Sequence, residues 1–363
     1  MGFKCGIVGM PNVGKSSLFN ALTRSEIAAE NYPFCTIDPN IGIVQVPDSR
    51  LDQVAKLAKP KRVMRATMEF VDIAGLVAGA SRGEGLGNQF LAHIRETQAI
   101  AHVVRCFEDD NVVHVAGQID PMSDVEIIET ELALADMETV SRALDKAKKL
   151  VRSGDKTERS LIEQLEKVLS GLDAMQPVRV QNLDEDTHAY IRSFNLLTAK
   201  PIVYVANVDE AHKNGNLMSQ LLEEHARDQK AECVVLCAAL EAEVGSLEDR
   251  EQEEFLLELG LSEAGLNRFI RAGYRLLGLQ TFFTAGPKEC RAWTIRGEST
   301  APEAAGAIHT DFEKGFIRAE VIGYDDYIKF KGQSGAQEAG RLRLEGKDYV
   351  VKDGDVMHFR FNV

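Results

Sequence analysis

Gly9, Gly14, Lys15 and Ser16 stand at the spacing G-x-x-x-x-G-K-S, the first place in this chain where residue types and spacing can do chemistry. Two glycines let a backbone curl until successive N–H groups point inward at one anion. A lysine and a hydroxyl directly after the second glycine add a mobile positive charge and a ligand for a hard cation. The pattern therefore suits the phosphates of a nucleotide that carries Mg²⁺. The flanks agree. Cys5-Gly6-Ile7-Val8 reads as a buried strand, and Ser17-Leu18-Phe19-Asn20-Ala21-Leu22 opens a helix whose N-terminus adds partial positive charge. Val13, Gly14, Lys15, Ser16 and Ser17 are the candidate phosphate-binding residues, with Lys15 placed to reach the β- and γ-phosphates and Ser16 to ligate Mg²⁺.

Two further stretches extend this chemistry. Asn31 to Asn40, with two prolines and several Asn/Asp residues, is a loop. In phosphate-loop switch proteins a threonine in such a loop closes over Mg²⁺ and the γ-phosphate; Thr36 is the candidate, against the alternative of a strand-end threonine with no ligand. Its neighbour Cys35 is either a reactive thiol or an ordinary loop cysteine. Thr67 to Val71 reads as a strand running into Asp72-Ile73-Ala74-Gly75. A carboxylate at a strand's end can hold the Mg²⁺ shell, and the glycine can offer its N–H to a γ-phosphate. Lys15, Thr36 and Gly75 are thus the candidate catalytic residues, and Ser16, Thr36 and Asp72 the candidate metal ligands. Leu76 follows, where related enzymes carry a glutamine that orients the attacking water. Slow hydrolysis is expected unless another group positions the water. His93 and His114 are candidates for that role, with an ordinary structural histidine as the alternative for each.

The base site is read from Asn207-Val208-Asp209-Glu210, after the apolar strand Ile202 to Ala206. Guanine-specific relatives carry N-K-x-D, whose aspartate takes two hydrogen bonds from guanine. Here Val208 stands for the lysine and Glu210, one methylene longer, for the aspartate. The bidentate geometry is lost, while the Asn207 amide suits an adenine N6/N7 edge. Asn207, Val208 and Glu210 are the candidate base-site residues, and ATP is expected over GTP.

The elements that must position these residues form an α/β phosphate-loop domain with a mostly parallel sheet over 1–122 and 200–278. A helical hairpin is inserted at 123–199, started by the capping box Ser123 to Glu126. From 279 to 363 four period-two runs and one helix, Ala301 to His309, indicate an α+β module of β-grasp type, more suited to binding than to catalysis. Hydrophobic content of 44% fits a chain with sizeable cores. A net charge of −14 argues against a general duplex-DNA binder. The cluster Lys146, Lys148, Lys149 and Arg152 either touches RNA or is a solvated helix end. Six scattered cysteines without C-x-x-C, no spanning segment and no signal peptide give the expectation of a reduced, cytoplasmic protein with no membrane partner.

Taken together, Gly9 to Ser16, Asn31 to Asp38, Asp72 to Leu76, Asn207 to Glu210, the helical insert and the C-terminal module resemble the YchF, or Obg-like ATPase, family from end to end. The N-x-x-E replacement is the most specific mark. The resemblance implies an ATP-hydrolysing fold, a coiled-coil insertion, a C-terminal TGS-like module and association with ribosomes. It places Asn12 beside the phosphates, where potassium-assisted relatives hold K⁺. A nucleotide-gated adaptor with nearly idle hydrolysis and a GTPase tolerating an altered base motif are the competing readings.

Overall fold

The computed structural model describes residues 3–24, 40–73, 75, 86–109, 117, 119–152 and 159–362. Thr36, Leu76, Cys35 and His114 lie outside them. The chain divides into two compact units, Met1–Gly42 with Glu69–Gly273, and Ile43–Met68 with Tyr274–Val363.

The first unit is built on a sheet of order β2-β4-β1-β5-β6-β7, made of β1 (Lys4–Val8), β2 (Ile41–Gln45), β4 (Thr67–Asp72), β5 (Ala99–Arg105), β6 (Ile202–Asn207) and β7 (Glu232–Leu236). β3 (Arg62–Met64) belongs to the other sheet. β1 pairs in parallel with β4 and β5, and β6 with β5 and β7. Every residue of β5 and β6 is buried, as in a sheet covered on both faces, including the polar His102, Arg105 and Asn207. The covering helices are α1 (Lys15–Arg24), α3 (Leu86–Arg95), α7 (Leu217–Asp228), α8 (Ala238–Val244), α9 (Asp249–Glu258) and α10 (Gly265–Leu276). α2 (Ser49–Ala58) lies in the second unit. The sequence pattern did not mark α7, which starts from a capping box between Asn216 and Ser219.

The insert is a hairpin of α4 (Pro121–Arg152) and α5 (Arg159–Asp173), followed by the short α6 (Glu185–Ile191). After α6 a 3-10 turn, Arg192–Phe194, ends at Asn195, which sits in the left-handed region at φ 49°. Val140, Leu165, Val168 and Leu172, each fully buried, form the hairpin's seam. Its basic end is partly self-paired, Lys148 meeting Glu166 of α5 at 2.8 Å.

Two carboxylates of α4, the buried Asp136 and the partly buried Glu129, hold the insert to the segment that leads into β6 and to β6 itself. Asp136 of α4 accepts from the backbone N–H of Leu197 and Thr198 and from the Thr198 hydroxyl, at 2.7–2.8 Å. Glu129 of α4 meets Tyr204 of β6, Arg179 at 3.3 Å and His225 of α7 at 3.6 Å. Burial works against the Glu129 charge, but the hydrogen bonds from His225 and Tyr204 and the Arg179 charge more than offset it and hold the carboxyl down at about 2.

The second unit is an α+β layer with strand order β11-β10-β12-β8-β9-β3. Its strands are β8 (Leu279–Ala285), β9 (Glu289–Arg296), β10 (Phe316–Ile322), β11 (Arg343–Glu345) and β12 (Val356–Phe361), with β3 on the edge. β8/β9, β10/β11 and β10/β12 are antiparallel, while β12/β8 and β3/β9 are parallel. α11 (Ala301–Ile308), started by a capping box and Pro302, sets Ala301, Ala304 and Ala305 against Phe282, Phe316 and Phe359. The short helices α12 (Thr310–Lys314), α13 (Tyr324–Lys329) and α14 (Gln333–Glu338) were not expected. At five or six residues they are too short to show helical periodicity. Segment 43–68, which the sequence reading left inside the nucleotide domain, is part of this unit.

No helix among the described residues is long and apolar enough to cross a membrane.

Candidate functional site

The carboxyl ends of β1, β4, β5, β6 and β7 bring the sequence-marked residues together. The loop after β1 needs glycine at two points. A Cβ on Gly9 would strike the carbonyl of Val103 in β5, and one on Gly14, at φ 94°, would land on the Asn207 amide. Asn12 sits between them at φ 62°, a left-handed conformation that asparagine tolerates. The loop then passes into α1, which leaves Ser16 and Ser17 exposed at the helix start. The Ser16 hydroxyl has no protein partner among the described residues.

Lys15 is buried, 7% exposed, and donates from Nζ to the Met10 carbonyl at 2.7 Å. Burial pushes its pKa down to about 8, against the pull of the Asp72 carboxylate. Asp72, at the end of β4, shows the reciprocal balance: burial raises its pKa and the Lys15 charge lowers it. Gly75 closes the group, because a Cβ there would lie 3.0 Å from Lys15 Nζ and 3.2 Å from the Pro11 nitrogen. Lys15, Asp72 and Gly75 thus converge on the phosphate loop across a wide sequence separation. A side chain at position 75 would crowd the Lys15 ammonium.

The base side is held differently from expectation. Asn207 is buried and spends both ends of its amide on backbone: Nδ2 donates to the Val13 carbonyl at 2.9 Å, and Oδ1 accepts from Ala238 N–H at 3.0 Å. The expected pairing of this amide with both adenine atoms is therefore revised. With its carbonyl committed to Ala238 and one N–H to Val13, the side chain acts as a clamp between the phosphate loop and the start of α8, with one N–H uncommitted. Val208 is 2% exposed, with its N–H bonded to the Leu236 carbonyl, so its side chain packs into the core and does not cover a ligand face. Glu210 is exposed, and its carboxylate has no partner among the described residues. The neighbouring Asp209 is committed: it accepts from the His212 N–H at 3.0 Å and meets His212 Nδ1 at 2.9 Å, closing a 3-10 turn, Glu210–His212. Of the two acids, Glu210 alone is left without a partner among the described residues.

Residues that spacing did not reveal complete the floor. Fully buried Arg105, at the end of β5 and in register with Asn207, donates to the carbonyls of Phe107 at 3.1 Å and Asp109 at 3.2 Å. Asn216 donates to the Cys106 carbonyl at 2.7 Å and caps α7. Neither belongs to a spaced motif, and a buried arginine in an apolar strand was the one available signal. His93 is exposed on α3. No cluster of metal-ligating side chains occurs among the described residues.

Comparison with known proteins fits this geometry. Residues 4–141 match a family described as a 50S ribosome-binding GTPase, and residues 279–362 one described as YchF-GTPase_C, a protein of unknown function. Over all 363 residues, and all of the relative, the chain is 61% identical to the "Ribosome-binding ATPase YchF" of Haemophilus ducreyi. The chain belongs to the YchF family. The protein of the same name from Pasteurella multocida is 60% identical over the same span. Among solved structures, the Schizosaccharomyces pombe YchF GTPase is 37% identical, with a TM-score of 0.90 over 99% of this chain and 97% of that one. The phosphate-loop domain, the helical insert and the C-terminal unit are thus elements of the family's fold.

Proposed function

We propose that this chain is a Mg²⁺-dependent, ribosome-associated ATPase that works as a nucleotide switch with a slow intrinsic rate. The convergence of Lys15, Asp72 and Gly75 on the phosphate loop carries the reading. Ribosome binding and ATP hydrolysis are what the names of the bacterial relatives state, and the full-length identity supports carrying both across.

The residues fit a hard divalent cation. The Ser16 hydroxyl is unengaged and the half-buried Asp72 carboxylate faces a cationic loop, an oxygen set of the kind Mg²⁺ takes together with phosphate oxygens and water. Thr36 is the third proposed ligand, from its position in the sequence. When bound, Mg²⁺ would neutralise charge on the phosphates. Lys15 leaves the Met10 carbonyl for the phosphate oxygens, and the Gly75 N–H faces the γ-phosphate. Leu76 offers nothing to orient a water, so the intrinsic rate is slow and a partner supplies what is missing. Asn12 is proposed to help hold K⁺; equal rates in Na⁺ and K⁺ buffers would exclude that role.

Preference for adenine rests on Glu210 and Val208. The longer acid misaligns the two hydrogen bonds guanine needs, and a buried valine replaces the lysine stem. Asn207 supports the preference only through its remaining N–H. The test is a paired titration with ATP and GTP, with and without ribosomes, following binding and phosphate release. Tighter ATP binding with release accelerated by ribosomes is expected. Tighter GTP binding would return the chain to the GTPases, the class named for the S. pombe relative.

A further inference from the structure

The chain passes between its two units three times, and each passage falls inside a regular element. The boundaries lie between Gly42 and Ile43 in β2, between Met68 and Glu69 in β4, and between Gly273 and Tyr274 in α10. Compact units are ordinarily joined by exposed linkers rich in Pro, Gly and polar residues, and hinge motions are absorbed in loops. Strand and helix dihedrals are held by hydrogen bonds, so a displacement at one end of such an element is delivered to the other.

Two of the passages start at the nucleotide site. Gly42 is seated on α1: a Cβ there would lie 2.6 Å from Thr23 and 3.3 Å from Phe19. α1 is the helix that the phosphate loop opens. β4 ends in Asp72, whose N–H donates to the Asn40 carbonyl at 2.9 Å, and Gly75 follows. Asp72 lies five residues after Thr67, about 17 Å along an extended strand.

Between these passages, residues 43–68 are built into the second unit. β3 adds to the edge of β9 through Arg62, Val63 and Met64, and Lys61 N–H donates to the Pro287 carbonyl at 3.2 Å. In α2, Arg50 holds Asp48 at 2.8 Å and Asp353 at 2.7 Å, with its guanidinium 5.6 Å from the centre of the Phe283 ring. Asp353 in turn accepts from the Thr281 N–H of β8 at 2.8 Å. Arg65 closes the segment on Asp52 at 2.7 Å.

We propose that residues 43–68 form a transmission segment: nucleotide at Lys15, Asp72 and Gly75 changes the ordering of the C-terminal unit through β2 and β4. An occupant of the C-terminal unit changes nucleotide affinity by the same factor, as linkage requires. This rests on the site reading given above. Arg50 is the latch that carries it, being the charged side chain that ties α2 to the Asp353 loop.

The test is hydrogen exchange on the full chain with and without Mg²⁺ and a non-hydrolysable ATP analogue, with nucleotide affinity measured by calorimetry on the same samples. Slowed exchange is expected not only in 3–24 and 69–105 but also in 49–64 and 279–296. Arg50→Met, which keeps the stem on Phe283 and removes both ion pairs, should bind the analogue within about threefold of the parent and lose at least half of the change in 279–296. Arg50→Lys should restore part of it. Analogue binding with protection confined to 3–24 and 69–105 would overturn the proposal and leave the site reading intact. Absence of analogue binding would overturn both. The unaltered chain alone decides the first point, so a variant that failed to fold would not protect the proposal.

Discussion

Replacing Asn207 by alanine separates a clamp from a base reader. The substitution deletes two buried hydrogen bonds, to the Val13 carbonyl at 2.9 Å and from the Ala238 N–H at 3.0 Å. Each is worth about 1 kcal/mol net, and the stranded backbone groups add desolvation cost, for a total of about 2–4 kcal/mol. Because those bonds tie the phosphate loop to α8, the loss falls on assembly of the site. If about half of it appears in binding, affinity drops roughly tenfold. Most of the drop should be shared by ATP and GTP, since both bonded partners of the amide are backbone groups, and loss of the remaining N–H adds at most a smaller difference between them. Urea unfolding of the nucleotide-free protein and calorimetric titration with each nucleotide supply both numbers. Asn207→Asp should be no milder, because it keeps the acceptor for Ala238 but sets a carboxylate oxygen against the Val13 carbonyl. Unchanged stability together with a selective loss of ATP would refute the clamp and restore the amide as the adenine reader.

Three other outcomes follow from the same geometry. Lys15 titrates near 8 when folded and nucleotide-free, against its ordinary 10.5, so the folded state holds fewer protons between those values and stability should rise with pH across that window. Phosphate must restore the charge, so nucleotide binding at pH 9 should take up protons; calorimetry in buffers of different ionisation heat reads this, and Lys15→Met should abolish it. Glu129 titrates near 2 against 4.5, so its contribution is present above 4.5 and is lost as pH falls toward 2. Glu129→Gln should flatten that part of the acid unfolding curve and cost about 3 kcal/mol by leaving Arg179 with weaker partners; an unchanged acid midpoint would count against the assignment. Asp209→Ala opens the turn that carries Glu210, and the ATP-to-GTP affinity ratio should move while the affinity for inorganic triphosphate stays; no change in the ratio would remove Glu210 from the base site.

Local signals were legible where a short stretch decides its own chemistry. Gly9 to Ser16, the short helix begun near Pro302 and the largely apolar runs of β5 and β6 announced themselves, because glycine conformation, proline geometry and periodicity are properties of neighbours along the chain. The family could be named on these motifs. The hairpin's seam was legible for the same reason, through the three- and four-residue recurrence of its apolar side chains.

What tertiary structure alone decided concerns pairings of high sequence separation. Nothing in Asn207 and its neighbours says that the amide closes on Val13 and Ala238 instead of waiting for a base; the loop and helix start arrive from 194 and 31 residues away. Arg105 and Asn216 look unremarkable until the ends of β5 and β6 lie side by side. The membership of residues 43–68 is the largest such decision. Neither the ion pair of Arg50 with Asp353 nor the addition of β3 to β9 is legible in the sequence, because charge and a three-residue edge strand carry no address. Sequence fixes what each segment can become, by sterics and periodicity. Which buried partner each polar group takes is set only when the whole core closes, since an unpaired buried polar group costs more than any local preference can offset.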